Sequence, residues 1–240
     1  MNVGLIFAGG TGTRYSSRGT PKQFLELQGK AVIVHATEYF ESHPEIDAVC
    51  VVCKKEWISH FEKLKNRYSL NKVSIIAEGG ETGQESIYKG LCAIHDHYKE
   101  AKDIIVLIHD GVRPLISLDL ISENIKTVKQ FGNAVTVSKT IDPVVRIAND
   151  KHIVEFAERS TCYHTKAPQC FYLSEILALQ EQAIADGLAI VDSAALMLHY
   201  VKKLYPVKCS NENIKITTPV DYYLFKAIYE ARESSQVFGI

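Results

Sequence analysis

The sequence predicts an α/β fold, a mostly parallel central sheet with helices on both faces. Three observations predict it. Short apolar runs alternate with helix-period segments through the first two-thirds of the 240 residues. The first run, Val3-Gly4-Leu5-Ile6-Phe7-Ala8, breaks into Gly9-Gly10-Thr11-Gly12-Thr13-Arg14, as a buried strand entering a tight loop does. A later run, Ile104 to Ile108, ends in His109-Asp110-Gly111-Val112-Arg113-Pro114. Open sheets of this kind bind ligands beyond the carboxyl ends of their strands, so these two loops are where chemistry is expected.

In chain order, strands are predicted at 3–8, 47–53, 73–77, 104–109 and 133–137, each a run too short and too apolar for a surface helix. Helical spacing falls between them at 32–43, 55–68, 84–99 and 118–131. The rhythm then changes. Val144 to Ile147 and His152 to Phe156 flank Ala148-Asn149-Asp150-Lys151, which reads as a hairpin. Residues 139–166 are therefore predicted to form a β-arm projecting from the main body. Helices at 174–186 and 192–202, strands at 204–208 and 213–216, and a helix at 219–234 complete the chain. Residues 1–240 read as one domain carrying that arm, with no internal repeat or linker.

Composition narrows the function. The net charge is -1, so a general nucleic-acid or anionic-membrane surface is not indicated. No apolar stretch reaches the ~18–20 residues that span a bilayer, and Met1 leads straight into a strand without a signal-peptide pattern. A cytoplasmic protein is expected. Six cysteines stand at 50, 53, 92, 162, 170 and 209. Cys50 and Cys53 have C-x-x-C spacing but lie inside an apolar run, and no second pair completes a zinc site, so buried thiols are expected. His95 and His97 are two apart on a helix and point to different faces.

The glycine loop lets backbone approach a ligand closely. Successive N–H groups in such a loop form an anion-binding concavity. Arg14 and Lys22, the latter in Pro21-Lys22-Gln23, add positive charge. The combination suits a polyphosphate. A dinucleotide fingerprint requires G-x-G-x-x-G, but the third glycine position is Tyr15; a P-loop requires Gly-Lys followed by Ser or Thr, which the chain lacks. Asp110 can help hold a divalent cation on phosphates, and Arg113 can neutralise phosphate or brace Asp110. Lys215, between Ile214 and Ile216, reads as the solvated face of a strand edge when taken alone.

Taken in order, these motifs resemble the bacterial cytidylyltransferases that act on polyol phosphates, over roughly residues 3–230. The pieces are Ala8 to Arg14, Pro21-Lys22-Gln23, Gly79-Gly80 with Ser86, His109 to Pro114, Arg159, Pro168-Gln169 and Asn213-Ile214-Lys215-Ile216-Thr217. The resemblance implies a three-layer Rossmann-like nucleotidyltransferase that transfers CMP from CTP to a polyol phosphate. It implies that Ala8, Gly9, Gly10, Thr11 and Gly12, with Gly79, Gly80 and Ser86, surround the nucleotide. It also implies that Arg14 and Lys22 bind the triphosphate, that Asp110 supports a magnesium-bound nucleotide, and that Lys215 stabilises charge at the α-phosphorus. Asp110 and Arg113 would lie near the polyol. Arg159 would reach the acceptor phosphate from the arm, into the second subunit of a homodimer.

Two positions depart from the family pattern. No arginine precedes Ser86 in Glu81-Thr82-Gly83-Gln84-Glu85, so one triphosphate contact is missing or supplied elsewhere. Lys166-Ala167-Pro168-Gln169 stands where the family has Thr-Pro-Gln; the lost hydroxyl is on the acceptor side, and Lys166 offers charge in its place. Scaffold similarities at Glu56 to His60 and Ile214 to Pro219 favour the ribitol 5-phosphate branch over 2-C-methyl-D-erythritol 4-phosphate. A sugar-1-phosphate nucleotidyltransferase and a non-catalytic nucleotide-binding protein remain as alternatives.

Overall fold

The computed structural model describes residues 1–8, 20–190, 192–200 and 203–238, the last four without their side chains. Strand β1 (Asn2–Ala8) is followed by the short hairpin β2 (Glu26–Leu27) and β3 (Lys30–Ala31), then α1 (Val32–Ser42). Next come β4 (Ala48–Cys53), α2 (Ile58–Arg67), β5 (Val73–Glu78), α3 (Gly83–His97), β6 (Ile105–Asp110), α4 (Leu118–Phe131) and β7 (Asn133–Lys139). The arm contains β8 (Val145–Ile147) and β9 (Ile153–Phe156). The remainder is β10 (Tyr163–Tyr172), α5 (Leu173–Ala185), α6 (Ser193–His199), β11 (Pro206–Lys208) and α7 (Pro219–Phe238).

Seven strands form the sheet, in the order β11-β7-β10-β6-β1-β4-β5. All adjacent pairs are parallel except those of β10, which runs antiparallel to both β6 and β7. The predicted α/β architecture is thus the observed one. Alternation along β1 builds the two cores. Val3 and Leu5 pack with Ile87, Leu91 and Ile94 of α3 and with Ile176 of α5, while Ile6 and Ala8 pack with Ile33, Val34 and Phe40 of α1. The central strands are apolar on both sides because helices cover both sides. Cys50 and Cys53 lie within this core, and burial pushes their thiols up to about 12 and about 11. All six cysteines are free.

Close packing of α3 on the sheet requires a glycine. A Cβ on Gly90 would stand 2.5 Å from Leu5 Cδ1 and 2.8 Å from Val52 Cγ2. Alanine gains ~1 kcal/mol of helix propensity, but overpacking a core costs about 1–3 kcal/mol. Gly90→Ala is therefore expected to destabilise the protein by roughly 1 kcal/mol net, read as a lower urea midpoint. A raised midpoint would show that α3 shifts freely.

Two expectations are corrected. Residues 163–172 form a ten-residue strand inserted in the middle of the sheet, where the sequence suggested only the end of the arm. Pro168 breaks the strand pattern, since proline donates no ladder bond, and Tyr163 to Thr165 are exposed. Residues 213–216, read as a strand, are irregular. Ile214 and Ile216 pack against the cluster containing Leu27, Val112 and Phe225, and that in-out alternation imitates a strand; the segment is held by Ile216 N–H donating to Val112 O at 2.9 Å. The hairpin β8–β9 forms as expected, paired from Val145 opposite Phe156.

Candidate active site

The carboxyl ends of β1 and β6 open into a cavity of about 340 Å³. Its walls include Phe7, Ala8, Lys22, Asp110, Arg113, Lys166, Ala167, Gln169, Asp192 and Lys215. Six of the sequence-predicted site residues outside the glycine loop thus share one cleft with Ala8. They come from the ends of β1 and β6, the turn after β1, β10 and the loop before α7.

Asp110 is the electrostatic centre. It ends β6 and is 7% exposed. Arg113 Nε donates to its Oδ2 at 2.7 Å, and Lys215 Nζ lies 2.5 Å from its Oδ1. Burial alone would raise the Asp110 pKa; Lys215 and Arg113 outweigh it and hold the carboxyl down at about 2, against an ordinary 3.8. The turn that brings Arg113 back is closed by Arg113 N–H donating to Asp110 O at 3.0 Å. Behind it His109 is fully buried, with Nε2 3.0 Å from Arg113 O. Burial lowers the His109 pKa to about 4, so the imidazole is neutral near pH 7 and adds no charge.

Lys166 faces the same space from β10. Burial, then the Arg113 guanidinium, lowers its pKa. Among the described residues it makes no ion pair with a carboxylate. Among the described residues, the cleft has four cations, Lys22, Arg113, Lys166 and Lys215, against two carboxylates, Asp110 and Asp192. Asp192 is committed elsewhere: its Oδ1 accepts from Ala195 N–H at 2.9 Å as the cap of α6, and its Oδ2 accepts from Gln169 Nε2 at 3.0 Å. Excess positive charge around a partly desolvated cleft is what binds a polyanion.

Lys22 opens a 3-10 turn, Lys22–Phe24, and Gln23 anchors it by donating to Ala8 O at 2.8 Å. Gly9, Gly10, Thr11, Gly12 and Arg14 lie outside the described residues. Gly79 extends the β5 pairing by donating to Cys53 O at 2.8 Å. Gly80 must lack a side chain, because a Cβ there would meet Glu85 Cβ at 2.2 Å. Ser86 stands behind the wall rather than in it: it is fully buried, accepts from Gly80 N–H at 3.1 Å and donates to Thr82 O at 2.9 Å. Its hydroxyl shapes the loop. Thr82 and Glu85 form a capping box at the start of α3, occupying the stretch where the family arginine is absent. A cation beside this loop, outside the cleft lining, is Lys89, whose Nζ donates to Gly79 O at 3.1 Å.

Arg159 sits in the exposed 3-10 turn Arg159–Thr161 beyond β9 and does not line the cleft of its own chain. Sequence reasoning missed Asp192 and Ser193, which line the cleft. The available signal was an aspartate directly before a helical pattern, an N-cap signature, but nothing local says that this cap faces the strand ends. Among the described residues no group of three His, Cys, Asp or Glu side chains could hold a metal.

Fold and cleft together are an α/β sheet presenting a cationic site at its strand ends, suited to a polyanion. The model of the 2-C-methyl-D-erythritol 4-phosphate cytidylyltransferase (IspD) family matches residues 3–231. A ribitol-5-phosphate cytidylyltransferase of Streptococcus agalactiae is 47% identical over 241 residues, covering all of both chains. A 2-C-methyl-D-erythritol 4-phosphate cytidylyltransferase of Clostridium novyi is 34% identical, over 95% of this chain and 96% of the other. The crystal structure of a 4-diphosphocytidyl-2C-methyl-D-erythritol synthase from Anaerococcus prevotii superposes with a TM-score of 0.83 at 24% identity, over 95% of this chain and 96% of that one. The chain belongs to the IspD family of cytidylyltransferases, enzymes that use CTP.

Proposed function

We propose that the protein transfers CMP from CTP to ribitol 5-phosphate, releasing CDP-ribitol and pyrophosphate. The observation that carries the reading is the convergence of Lys22, Arg113, Lys166 and Lys215 on the cleft around Asp110. The choice of acceptor is supported by the higher identity to the ribitol-5-phosphate enzyme than to the methylerythritol enzyme, 47% against 34%.

A phosphate monoester has a second pKa near ~6 and is largely dianionic at pH 7. It needs no general base. One of its oxygens forms the bond to the α-phosphorus of CTP. The bond from that phosphorus to the β-phosphate bridging oxygen breaks, and its electron pair leaves with pyrophosphate. The barrier lies in bringing two polyanions together and in supporting charge on the equatorial oxygens, which fixed cations do. In this reading Lys22 and Arg14 hold the triphosphate, and Lys215 serves the α-phosphoryl oxygens. Ala8 to Gly12, Gly79 and Gly80 frame the nucleotide, with Ser86 supporting that frame. Arg113, Lys166 and Ala167 face the acceptor. The acceptor phosphate would sit against Lys166, whose ammonium has the charge that the family's threonine hydroxyl lacks.

The donor set fits a magnesium ion held chiefly by the triphosphate. Asp110 supplies one carboxylate, and each of its oxygens retains a lone pair beyond the contact it makes. Magnesium takes one or two carboxylates plus phosphate oxygens and water in such sites. When bound, the ion neutralises triphosphate charge. The free thiols and the absence, among the described residues, of a helix long and apolar enough to cross a membrane support placing the reaction in the cytoplasm.

The test is turnover with a nucleotide panel and an acceptor panel, following pyrophosphate release. CTP with ribitol 5-phosphate is expected to have the highest kcat/KM. Preference for methylerythritol phosphate would overturn the acceptor, preference for UTP, dTTP or GTP would indicate a sugar-1-phosphate enzyme, and CTP binding without pyrophosphate release would indicate a non-catalytic protein.

The arm supports a dimeric reading. Ile147, Ile153 and Phe156 are 62%, 55% and 71% exposed, an apolar surface that a monomer rarely leaves open. A second copy would cover it and bring Arg159 to the neighbouring cleft. Sedimentation at micromolar concentration is expected to show a dimer, and Phe156→Asp a monomer; a monomeric wild type would refute the arrangement.

A further inference from the structure

We infer that Asn213 is a positioning residue: its amide fills the gap that Pro168 opens in β10 and thereby holds Lys215, Arg113 and the β10 wall of the cleft in one register. The inference rests on the cleft being the site of transfer.

The gap is visible in the pairing. Between Thr165 and Gln169 on β10, which pair with Val137 and Val135 of β7, three residues stand opposite Thr136 alone. The ladder is interrupted there, yet the carbonyls exposed by the interruption are buried and need donors. Two side chains supply them. Thr136 Oγ1 donates to Pro168 O at 2.6 Å, and Asn213 Nδ2 donates to Ala167 O at 2.7 Å. Asn213 is 2% exposed, and its Oδ1 is buried with no hydrogen-bond partner among the described residues. An amide half-satisfied in this way is costly as a packing element, so its donor carries the position.

Asn213 also closes a circuit. Its own carbonyl accepts from Arg113 Nη1 at 2.9 Å. Arg113 holds Asp110 Oδ2, and Asp110 Oδ1 holds Lys215, two residues beyond Asn213. At the far end Ile216 N–H returns to Val112 O. Residues 211–217 have no regular secondary structure, so these contacts locate Lys215. β10, β6 and this loop lie far apart in the sequence, and Asn213 joins all three.

Asn213→Ala removes the donor, and Asn213→Asp keeps the shape while turning an acceptor toward Ala167 O. Both are expected to lower kcat about tenfold, the factor for one buried hydrogen bond of ordinary strength, with KM for CTP within about twofold. Thr37→Val removes a buried bond to Ile33 O inside α1; it is expected to lower Tm and leave kcat unchanged. If Asn213→Ala does not fold, Asn213→Ser replaces it. The acceptor used is whichever pentitol or methylerythritol phosphate the wild type turns over best, so an error in the acceptor does not touch this test. If the wild type turns over no acceptor with CTP, crystal structures decide: Lys215 Nζ is expected out of hydrogen-bond reach of Asp110, beyond ~3.5 Å, in Asn213→Ala only. Wild-type kcat in both Asn213 variants, a kcat loss in Thr37→Val equal to theirs, or an intact Lys215–Asp110 pair in that crystal would overturn the inference.

Discussion

Replacing Lys215 with alanine is expected to lower kcat by about a hundred- to a thousandfold, the cost of removing one donor aimed at charge that develops in a transition state. KM for CTP should change by less than about threefold, because charge on the α-phosphoryl oxygens grows during displacement and the ground state draws little from this ammonium. Two features support the role proposed for this lysine. Its side chain is 42% exposed toward the cleft, while its Nζ is held against Asp110 Oδ1. The point charge is therefore held at a fixed place within the cleft. Lys215→Arg keeps the charge but spreads it over a planar fork, so it should recover only part of the rate. Steady-state kinetics with both substrates varied separate these outcomes. A loss appearing wholly in KM would mean that Lys215 only binds CTP.

Asp110→Asn should have the second largest effect, on both activity and stability. The carboxylate is what lets Arg113 and Lys215 approach one another. Its removal leaves two cations, Arg113 and Lys215, in a partly desolvated cleft without the carboxylate that pairs with both. A kcat loss of about a hundredfold is expected, of the size seen when one electrostatic element is removed from such a site. The stability effect carries a pH signature. The folded-state pKa of Asp110 is depressed to about 2 from 3.8. A depressed carboxyl contributes stability that is fully present above its unfolded value and is lost as pH falls through the folded one. The wild type should therefore exceed Asp110→Asn by about 2 kcal/mol above pH 4, and the difference should shrink toward zero near pH 2. Chemical denaturation of both proteins across that window measures it. A gap that stays constant down to pH 2 would mean that the ion pairs contribute nothing and only shape is lost.

The departures from the family pattern acquire a physical setting in the fold. Where the arginine before Ser86 is absent, Glu85 is occupied as a helix cap, its Oε2 accepting from Glu81 N–H at 2.6 Å and Thr82 N–H at 3.3 Å. That carboxylate is turned back into the loop. Lys89, one helical turn further, places an ammonium against the Gly79 carbonyl. The acceptor-side change is of the opposite kind. Lys166 adds a cation beside Arg113, and its cost appears as a lowered pKa caused by burial and by that neighbour. An anion seated between the two would relieve both effects.

The sequence by itself determined the α/β architecture, because strands buried on both faces must be apolar runs and the helices covering them must keep a 3.6-residue period. It also determined which residue types stand at the strand ends: Asp110 ends β6 and Arg113 stands three positions beyond it, and their charge next to an apolar run marks them without any knowledge of the fold. Tertiary structure alone decided the rest. The antiparallel insertion of β10 was hidden by Pro168 and by a polar, exposed first half, since its missing ladder bonds are replaced by Thr136 and Asn213, whose contributions no local pattern encodes. Taken alone, Lys215 reads as the outer face of a strand, whereas its loop folds back on Asp110; Asp192 caps α6 and lines the cleft, a placement that no local pattern encodes. Local periodicity records whether a side chain faces core or solvent over a few residues; it does not record which distant segments share a cavity, and charge convergence is a property of that cavity.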